Sequence, residues 1–494
     1  MSAEDETGPP APDDGLTAEL VVESVPAAMS LAPMAGAPAL GGELIFDSEA
    51  PGPAGAESMR AGLLQAGPLA AAGVLANGAN VIVTVLLARL LTSHSYGVLN
   101  QLTGLFLILS MPGSAVVVAV VRRVTLWHED GSGHLVRRWA GRIHRQGSIA
   151  VLVWGVIVFT SRHGFAVLLG QKSGIGIAAV LTAAAFFVLL SLDRGLLQAH
   201  QSYRPLAVNL LVEGGARTVA VLILVGAGTG PSGAAVGILI AEMVAAGHAR
   251  WAAVRAWAAP EPLVRRSWAN GWVAAARRDV VLGGSETERH RVLIDLLVAS
   301  LALSVVALLQ NVDVLVVGRQ NPSHSGAYAA VSVASKAIVF GAIVMGGYLL
   351  PEAAIRWRRG GHALRQLAVV LALLAVPAAL ILFVAVAAPK LLLQVVFHHG
   401  YTAAAPAMAP LVLAMILLSL SVVLTMYLLA VGQRWVAGVL MLGGLALSLT
   451  LVHLHGAPRA TALADLAVQG AVATIIVIGF TVVHRVRRRD QAPQ

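Results

Sequence analysis

The sequence predicts an all-α polytopic membrane protein of about twelve transmembrane helices, built from two equivalent halves. Three observations predict this class: an apolar composition, twelve long apolar segments, and two internal sequence echoes at nearly the same spacing. The chain is 57% hydrophobic and 12% charged, with a mean hydropathy of +0.79. A soluble domain of this length carries about twice as much charge, so the chain is predicted to lie in a membrane.

The two echoes indicate an internal repeat. The segment Ala88-Arg-Leu-Leu-Thr-Ser-His-Ser95 is matched 230 residues later by Gly318-Arg-Gln-Asn-Pro-Ser-His-Ser325, and each copy lies between two apolar segments. The segment Leu196-Leu-Gln-Ala-His-Gln201 is matched 232 residues later by Leu428-Leu-Ala-Val-Gly-Gln433. Two echoes at nearly equal spacing predict structurally equivalent halves.

Twelve apolar segments are long enough to cross a bilayer, which takes about 20 residues of helix. The predicted spans are 64–90, 97–121, 147–168, 175–197, 205–227, 232–250, 292–317, 325–350, 366–388, 404–431, 435–454 and 461–483. We counted Lys and Arg in each loop together with the adjacent ends of its spans. The loops after even-numbered spans, with the C-terminal tail, hold 25, and the loops after odd-numbered spans hold six. This asymmetry predicts that both termini are cytoplasmic.

The predicted organisation has five parts. These are a disordered acidic tail (1–59), a first half (60–250), a cytoplasmic amphipathic linker (251–291), a second half (292–484) and a basic cytosolic tail (485–494). The acidic tail holds eleven of the 25 acidic residues and no basic residue. The basic excess in the rest of the chain is explained by membrane orientation and anionic lipid, so no nucleic acid is expected as a partner.

Three motifs resemble a known transporter family. They are Leu86-Leu-Ala-Arg-Leu-Leu-Thr-Ser-His-Ser-Tyr-Gly97, Leu309-Gln-Asn-Val-Asp-Val-Leu-Val-Val-Gly318 followed by Gly326-Ala-Tyr328, and Val396-Phe-His-His-Gly-Tyr401 followed by an Ala-Pro segment. Together they resemble the polysaccharide-biosynthesis branch, the lipid-linked oligosaccharide flippases, of the multidrug/oligosaccharidyl-lipid/polysaccharide exporter superfamily. The resemblance covers about residues 60 to 485.

The resemblance implies two six-helix lobes that are related by a pseudo-two-fold axis along the membrane normal and enclose a central cavity. It also implies a plasma-membrane transporter that moves polyprenyl-diphosphate-linked oligosaccharide by alternating access, for cell-surface polysaccharide biosynthesis. The expected partners are the lipid-linked sugar, membrane lipids and polysaccharide-assembly proteins. No cofactor, metal or catalytic residue is expected.

Charged side chains inside the predicted spans are candidate functional residues, because a charge in the bilayer is costly without a wet cavity or a partner. Lys336 lies eleven residues into the eighth span, near the midplane, and Asp313 lies near the end of the seventh. The two are predicted to pair and, with Asn311, to contact substrate. A purely structural ion pair between the two spans remains an alternative.

Three further charges lie in the first half. Glu213 and Arg217 are four residues apart and therefore share a helix face. Arg217 is predicted to hold a diphosphate while Glu213 carries a coupling proton, although a self-neutralising pair explains the spacing equally well. Glu242 has no obvious local partner and is a second candidate for ion coupling, or a neutral structural acid.

Other functions predict other features. A proton- or sodium-coupled multidrug or metabolite antiporter of the same superfamily becomes favoured if Arg217 and Lys336 are neutralised or face lipid. A membrane polymerase or ligase needs a large outer loop or paired carboxylates in a suitable geometry, and the sequence offers neither. Arg89 and Arg319 occur in both copies of the repeat and are predicted to cap the last carbonyls of their own helices.

Overall fold

The computed structural model describes residues 72–73, 75–76, 78–80, 82–129, 133–200, 202–258, 286–358, 364–397 and 399–490. The predicted acidic tail and most of the predicted linker lie outside these residues. The helices are α1 Gly78–Leu90, α2 Ser93–Glu129, α3 Gly133–Thr160, α4 Arg162–Leu169, α5 Ile175–Ala199, α6 Tyr203–Gly226, α7 Gly230–Ala258, α8 Glu286–Gln320, α9 Ser325–Arg358, α10 Leu364–Ala387, α11 Pro389–Val396, α12 Met408–Ala430, α13 Trp435–Val452 and α14 Pro458–Asp490. A 3₁₀ helix, His399–Ala407, precedes α12.

The predicted fold class is confirmed: within the described part of the chain, the regular structure is helical. Eleven of the described helices are long and apolar enough to span a membrane, and α1 is a shorter apolar helix. The remainder of the first predicted span, 64–90, falls largely outside the described residues. The chain is therefore a multi-pass membrane protein.

Two predicted spans differ in detail from the structure. The third predicted span, 147–168, is broken between α3 and α4 at Ser161, and α4 ends at Gly170 in a left-handed conformation with φ 65°. The tenth, 404–431, begins inside the 3₁₀ helix, and α12 starts only at Met408. The break at Ser161 falls on the polar run Thr160-Ser-Arg-His-Gly164, which the predicted span bridged. The start of α12 lies in apolar sequence after Pro406, where hydropathy carries no signal for a helix end.

The internal repeat is visible in the helix order. From α2 with α9 to α7 with α14, each later helix starts 227 to 233 residues after its earlier counterpart. The packing repeats as well, because α2 lies along α5 as α9 lies along α12, and α5 lies on α7 as α12 lies on α14. We call α1–α7 the N-lobe and α8–α14 the C-lobe.

The lobes meet along α2, which packs on α8 and α9. The lobes also touch at the end of the bundle that holds residues 91–92 and 321–324, which we call the gate end. There Tyr401 donates a 2.7 Å hydrogen bond to the Ala88 carbonyl, and His94 Nδ1 lies 3.2 Å from the Pro322 carbonyl. Tyr96 also stacks edge-on against Tyr401, with ring centroids 5.5 Å apart.

Arg89 does not fit its predicted role. Its guanidinium donates to the Val395 carbonyl at 3.2 Å, which belongs to α11 of the other lobe. The backbone of Arg319 in turn lies against Gly170 of the N-lobe, whose added Cβ would lie 3.6 Å from the Arg319 carbonyl oxygen. These two arginines of the repeat therefore lie at the junction between the lobes.

The first turns of α2 and α9 approach so closely that only glycine fits at Gly97 and Gly326. A Cβ on Gly97 would lie 2.7 Å from the Gly326 nitrogen, and a Cβ on Gly326 would overlap Ser93. Each glycine thus faces the first turn of the opposite lobe. Close contact at the gate end depends on the absence of these two side chains.

We expect Gly97→Ala to shift the protein away from this closed gate. An added methyl group that overpacks the contact costs the closed state about 1–3 kcal/mol, or roughly a five- to hundred-fold change in the closed population. Spin labels at Leu90→Cys and Val395→Cys, both exposed positions in a chain with no native cysteine, should report a longer distance. Gly215→Ala, where a Cβ meets nothing within 4 Å, is the matched control. Identical distance distributions for Gly97→Ala and Gly215→Ala would refute this role of the gate contact.

Candidate functional site

A buried ion network crosses the interior of the N-lobe. Arg194 Nη2 lies 2.5 Å from Glu213 Oε2, and Arg217 Nη2 lies 2.6 Å from Glu213 Oε1 and 2.5 Å from Glu242 Oε1. Asn209 accepts a 2.7 Å hydrogen bond from Arg194 Nε and donates to the Ala245 carbonyl. We call these five residues the N-lobe network.

The network follows from the spacing along α6. Asn209, Glu213 and Arg217 recur every fourth residue and form one buried stripe, while Leu211 and Ile223 are exposed on other sides of the helix. The buried stripe faces α5, which supplies Arg194, and α7, which supplies Glu242. Sequence analysis found the local pair but missed Arg194 and Asn209.

The N-lobe network balances its charges, with two guanidinium groups and two carboxylates. All four ionic side chains are buried, and a bilayer offers no water to replace a lost partner. Glu242 Oε2 and Arg217 Nε have no hydrogen-bond partner among the described residues. The network is therefore neutral overall, and two of its polar atoms are available for a further hydrogen bond.

Arg217 lies inside the N-lobe. Its guanidinium carbon is 5.8 Å from the centre of the Phe106 ring of α2, and Phe106 packs edge-on against Phe187. Both rings are buried, so they form an apolar wall beside the network. The predicted contact between Arg217 and a diphosphate remains a prediction, as does ion coupling at Glu213 and Glu242.

A second cluster lies nearer the opposite end of the N-lobe. Asp193 is fully buried, with Oδ2 2.9 Å from His144 Nδ1 and Oδ1 3.3 Å from Arg250 Nη1. Its partners come from α3 and α7, so the cluster ties three helices together. Sequence analysis did not single out Asp193, although it lies inside the fourth predicted span, where an acidic residue is a signal.

The C-lobe holds its own charged cluster, and it includes the predicted pair. Lys336 Nζ lies 3.6 Å from Asp313 Oδ1 and donates a 3.3 Å hydrogen bond to Asn311 Oδ1. Asp313 Oδ2 accepts hydrogen bonds from Tyr328 at 2.9 Å and Ser332 at 3.4 Å. The structure therefore brings together the three residues predicted to contact substrate in this half.

Asp465 of α14 is an addition that sequence analysis missed. It is fully buried and close enough to interact electrostatically with Asp313 and Lys336. Thr461, Asp465 and Gln469 are all fully buried and recur every fourth residue. The same spacing of polar residues marks the buried stripe of α6, so this pattern inside an apolar span could have identified Asp465.

The C-lobe cluster is unbalanced, unlike the N-lobe network. It sets two carboxylates, Asp313 and Asp465, against one ammonium group, Lys336. One buried oxygen of each carboxylate, together with Gln469 Oε1, has no hydrogen-bond partner among the described residues. This arrangement favours binding of a proton or a small cation.

A small cavity separates the lobes beside this cluster. Its volume is about 30 Å³, enough for about two water molecules. The cavity is lined from the N-lobe by α2 and from the C-lobe by α8 and α9, with Lys336 as its charged wall residue. Its lining residues are Asn100, Thr103, Gly104, Leu107, Asn311, Val314, Ser332, Val333, Lys336 and Phe340.

Comparison with known proteins identifies the fold. No family profile and no curated protein matches the sequence. The inward-facing conformation of a multidrug resistance MATE family transporter of the MOP superfamily superposes with a TM-score of 0.61 at 12% identity, covering 84% of this chain and 96% of the other. The outward-facing conformation of a multidrug resistance MATE family transporter of the same superfamily gives 0.53 at 15% identity, covering 87% and 95%.

A third structure is a MOP superfamily transporter from Pyrococcus furiosus, whose binding pocket has a reverse polarity that suggests a different function. It gives a TM-score of 0.52 at 14% identity and covers 85% of this chain and 95% of the other. This protein therefore has the fold of MATE transporters.

We expect the N-lobe network to stabilise the fold as a unit. Arg217→Leu leaves Glu213 and Glu242 with one arginine between them, and should lower the free energy of unfolding by about 3–5 kcal/mol. The double variant Arg217→Leu/Glu242→Gln restores charge balance and should recover more than half of that loss. Tryptophan fluorescence during unfolding in detergent measures both.

Arg204→Leu, at an exposed position on the same helix, is the control and should change stability by less than about 0.5 kcal/mol. If the double variant is less stable than Arg217→Leu alone, Glu242 stabilises the fold through interactions other than its charge pairing with Arg217.

Proposed function

We propose that this protein moves a polyprenyl-diphosphate-linked oligosaccharide across the plasma membrane by alternating access. The supporting observation is Lys336, a cation in the wall of the cavity between the lobes. A primary ammonium binds phosphate oxygens strongly in a site with little water. Asn100 and Thr103 supply neutral polar groups from the opposite lobe.

Lys336 can leave Asp313 at low cost. Their separation of 3.6 Å is long for an ion pair, and Asp313 keeps two hydroxyl donors, Tyr328 and Ser332, when the ammonium turns away. The carboxylate is therefore not stranded while Lys336 contacts a phosphate. In this proposal Asp313 and Asn311 position Lys336 between turnovers and contact substrate as the cavity widens.

The closed gate suits one step of the transport cycle. A cavity for two waters excludes a sugar, so the lobes must separate before substrate binds. We place the gate end at the outer face and both termini in the cytoplasm, because the opposite end carries most of the Lys and Arg. Opening at the cytoplasmic face then admits the lipid-linked substrate.

Coupling to an ion is proposed for the N-lobe network. Glu242 Oε2 is free of hydrogen bonds among the described residues, so it can take a proton while Oε1 keeps Arg217. Loss of one negative charge changes the balance among Arg194, Glu213 and Arg217. Protonation there would alter how tightly α6 and α7 are held together.

A second candidate function has its own support. Arg217 is neutralised by Glu213 and Glu242, and the C-lobe cluster carries an excess carboxylate. Both features favour a proton- or sodium-coupled exporter of small cations over a transporter whose cavity is dominated by positive charge. The two functions differ in the charge of the molecule that is moved.

Reconstituted protein in liposomes should accelerate translocation of a fluorescent polyprenyl-diphosphate sugar. Lys336→Ala should slow it by about 10- to 100-fold, because a hydrogen bond to a charged group contributes about 1.5–3 kcal/mol. Lys336→Arg should retain most of the rate. Lys172→Ala changes an exposed lysine and is the matched control.

The same vesicles distinguish the second candidate. If the wild type leaves the lipid-linked sugar in place and dissipates an imposed proton or sodium gradient when small organic cations are added, the flippase proposal fails and the exporter is favoured. Equal flipping by Lys336→Ala and the wild type would remove Lys336 from the mechanism.

A further inference from the structure

The outward face of α3 carries three exposed arginines in a row. Arg138, Arg142 and Arg145 are spaced four and three residues apart, which places them on one side of the helix. We call them the arginine stripe. Ile149, Leu152 and Val156 continue the same face toward the gate end, and each is more than half exposed.

The arginine stripe has no acidic partner among the residues that the structure describes. Within the described part of the chain, no ion pair joins any of the three to a carboxylate. The neighbouring Arg137 differs, because it donates a 3.1 Å hydrogen bond to the Trp257 carbonyl of α7. The buried acid Asp193 is already paired with His144 and Arg250.

The C-lobe shows that the fold does not need Arg142 and Arg145. The helix equivalent to α3 is α10, and the two can be aligned at either end. Arg142 then corresponds to Leu373 or Val369, and Arg145 to Val376 or Ala372, all of them exposed apolar residues. Arg138 corresponds to Val369 or to the exposed Arg365. The C-lobe surface is thus apolar where the N-lobe carries Arg142 and Arg145.

The stripe is long enough to span a lipid head-group layer. Seven residues of helix separate Arg138 from Arg145, a rise of about 10 Å, and the polar layer on each side of the hydrocarbon is about 5–8 Å thick. Trp139 adjoins the stripe and stacks edge-on against Trp127 with ring centroids 5.3 Å apart, as expected for aromatic residues at the membrane interface.

We propose that the arginine stripe binds the phosphate head group of an anionic membrane phospholipid, whose acyl chains lie along Ile149, Leu152 and Val156. Guanidinium groups that lack an acidic partner within the described ranges match the phosphate in charge and geometry. The aliphatic continuation of the same helix face matches the acyl chains. An amphiphile matches both parts of this helix face, with its head group on the arginines and its chains on the aliphatic residues.

The site is independent of the proposed transport function. It lies on α3, which packs on α2 and α5, whereas the cavity between the lobes is lined by α2, α8 and α9. A resident phospholipid therefore fits this surface better than a substrate on its way to the cavity. The structure assigns the lipid a place against the N-lobe alone.

Native mass spectrometry of the purified full-length protein tests this site. Titration with phosphatidylglycerol should give a bound lipid that phosphatidylcholine does not match. Arg142→Gln/Arg145→Gln should weaken phosphatidylglycerol binding by about five-fold for each arginine, the value expected for a basic residue at an anionic membrane surface. Arg142→Lys/Arg145→Lys keeps the charge and should retain most of the binding.

Arg204→Gln is the matched control, since Arg204 is exposed at the same end of the N-lobe and lies outside the stripe. Melting in detergent confirms that each variant is folded. The transplant Val369→Arg/Leu373→Arg should add a second phosphatidylglycerol molecule to the C-lobe.

Wild-type affinity in Arg142→Gln/Arg145→Gln, or equal binding of phosphatidylcholine, would overturn the proposal. Displacement of phosphatidylglycerol by an equal concentration of a polyprenyl diphosphate would overturn it as well, and would assign the stripe to the substrate.

Discussion

The requirement that charge inside a bilayer be paired organises this molecule. Both lobes carry buried charge, and the N-lobe network and the C-lobe cluster each join three helices across their own lobe. In the N-lobe the charges balance, so the network is suited to holding α5, α6 and α7 in register. In the C-lobe a carboxylate is in excess, so Lys336 and its neighbours can respond to a proton, a cation or a phosphate.

The repeat determines the backbone, and the side chains then distinguish the lobes. Paired helices start at nearly constant spacing, and the glycines at the gate end face each other across the junction. The side chains differ, because the residues 232 positions after the buried Glu213 and Arg217 are the exposed Leu445 and Leu449. A symmetric scaffold with an asymmetric interior suits a substrate whose two ends differ in chemistry.

Sequence analysis predicted the fold class, and its span boundaries from the fourth span onward lie mostly within a few residues of the helices. Apolar periodicity and length determine such boundaries, whereas the start of α12 at Met408 lies within apolar sequence and leaves no hydropathy signal. The break at Ser161 did leave a signal, the polar run Thr160-Ser-Arg-His-Gly164, and the predicted span bridged it. The pair Lys336 and Asp313 was predicted from depth alone. The prediction missed Arg194, Asn209 and Asp465 because their partners lie on other helices. Polar residues at every fourth position did mark the buried stripes of α6 and α14, which contain Asn209 and Asp465.

The location of the charged clusters has a consequence for motion between the lobes. Each cluster is confined to one lobe. The described contacts between the lobes are packing of α2 on α8 and α9, hydrogen bonds to carbonyls, aromatic packing, and glycine contacts at the gate end. Separating the lobes therefore breaks individually weak interactions, each contributing about 1 kcal/mol, and leaves intact the buried ion pairs between described residues. A rigid-body rearrangement avoids exposing an unpaired charge to lipid, which would cost several kcal/mol. The distribution of charge thus makes movement of whole lobes the lowest-cost way for this chain to open its cavity.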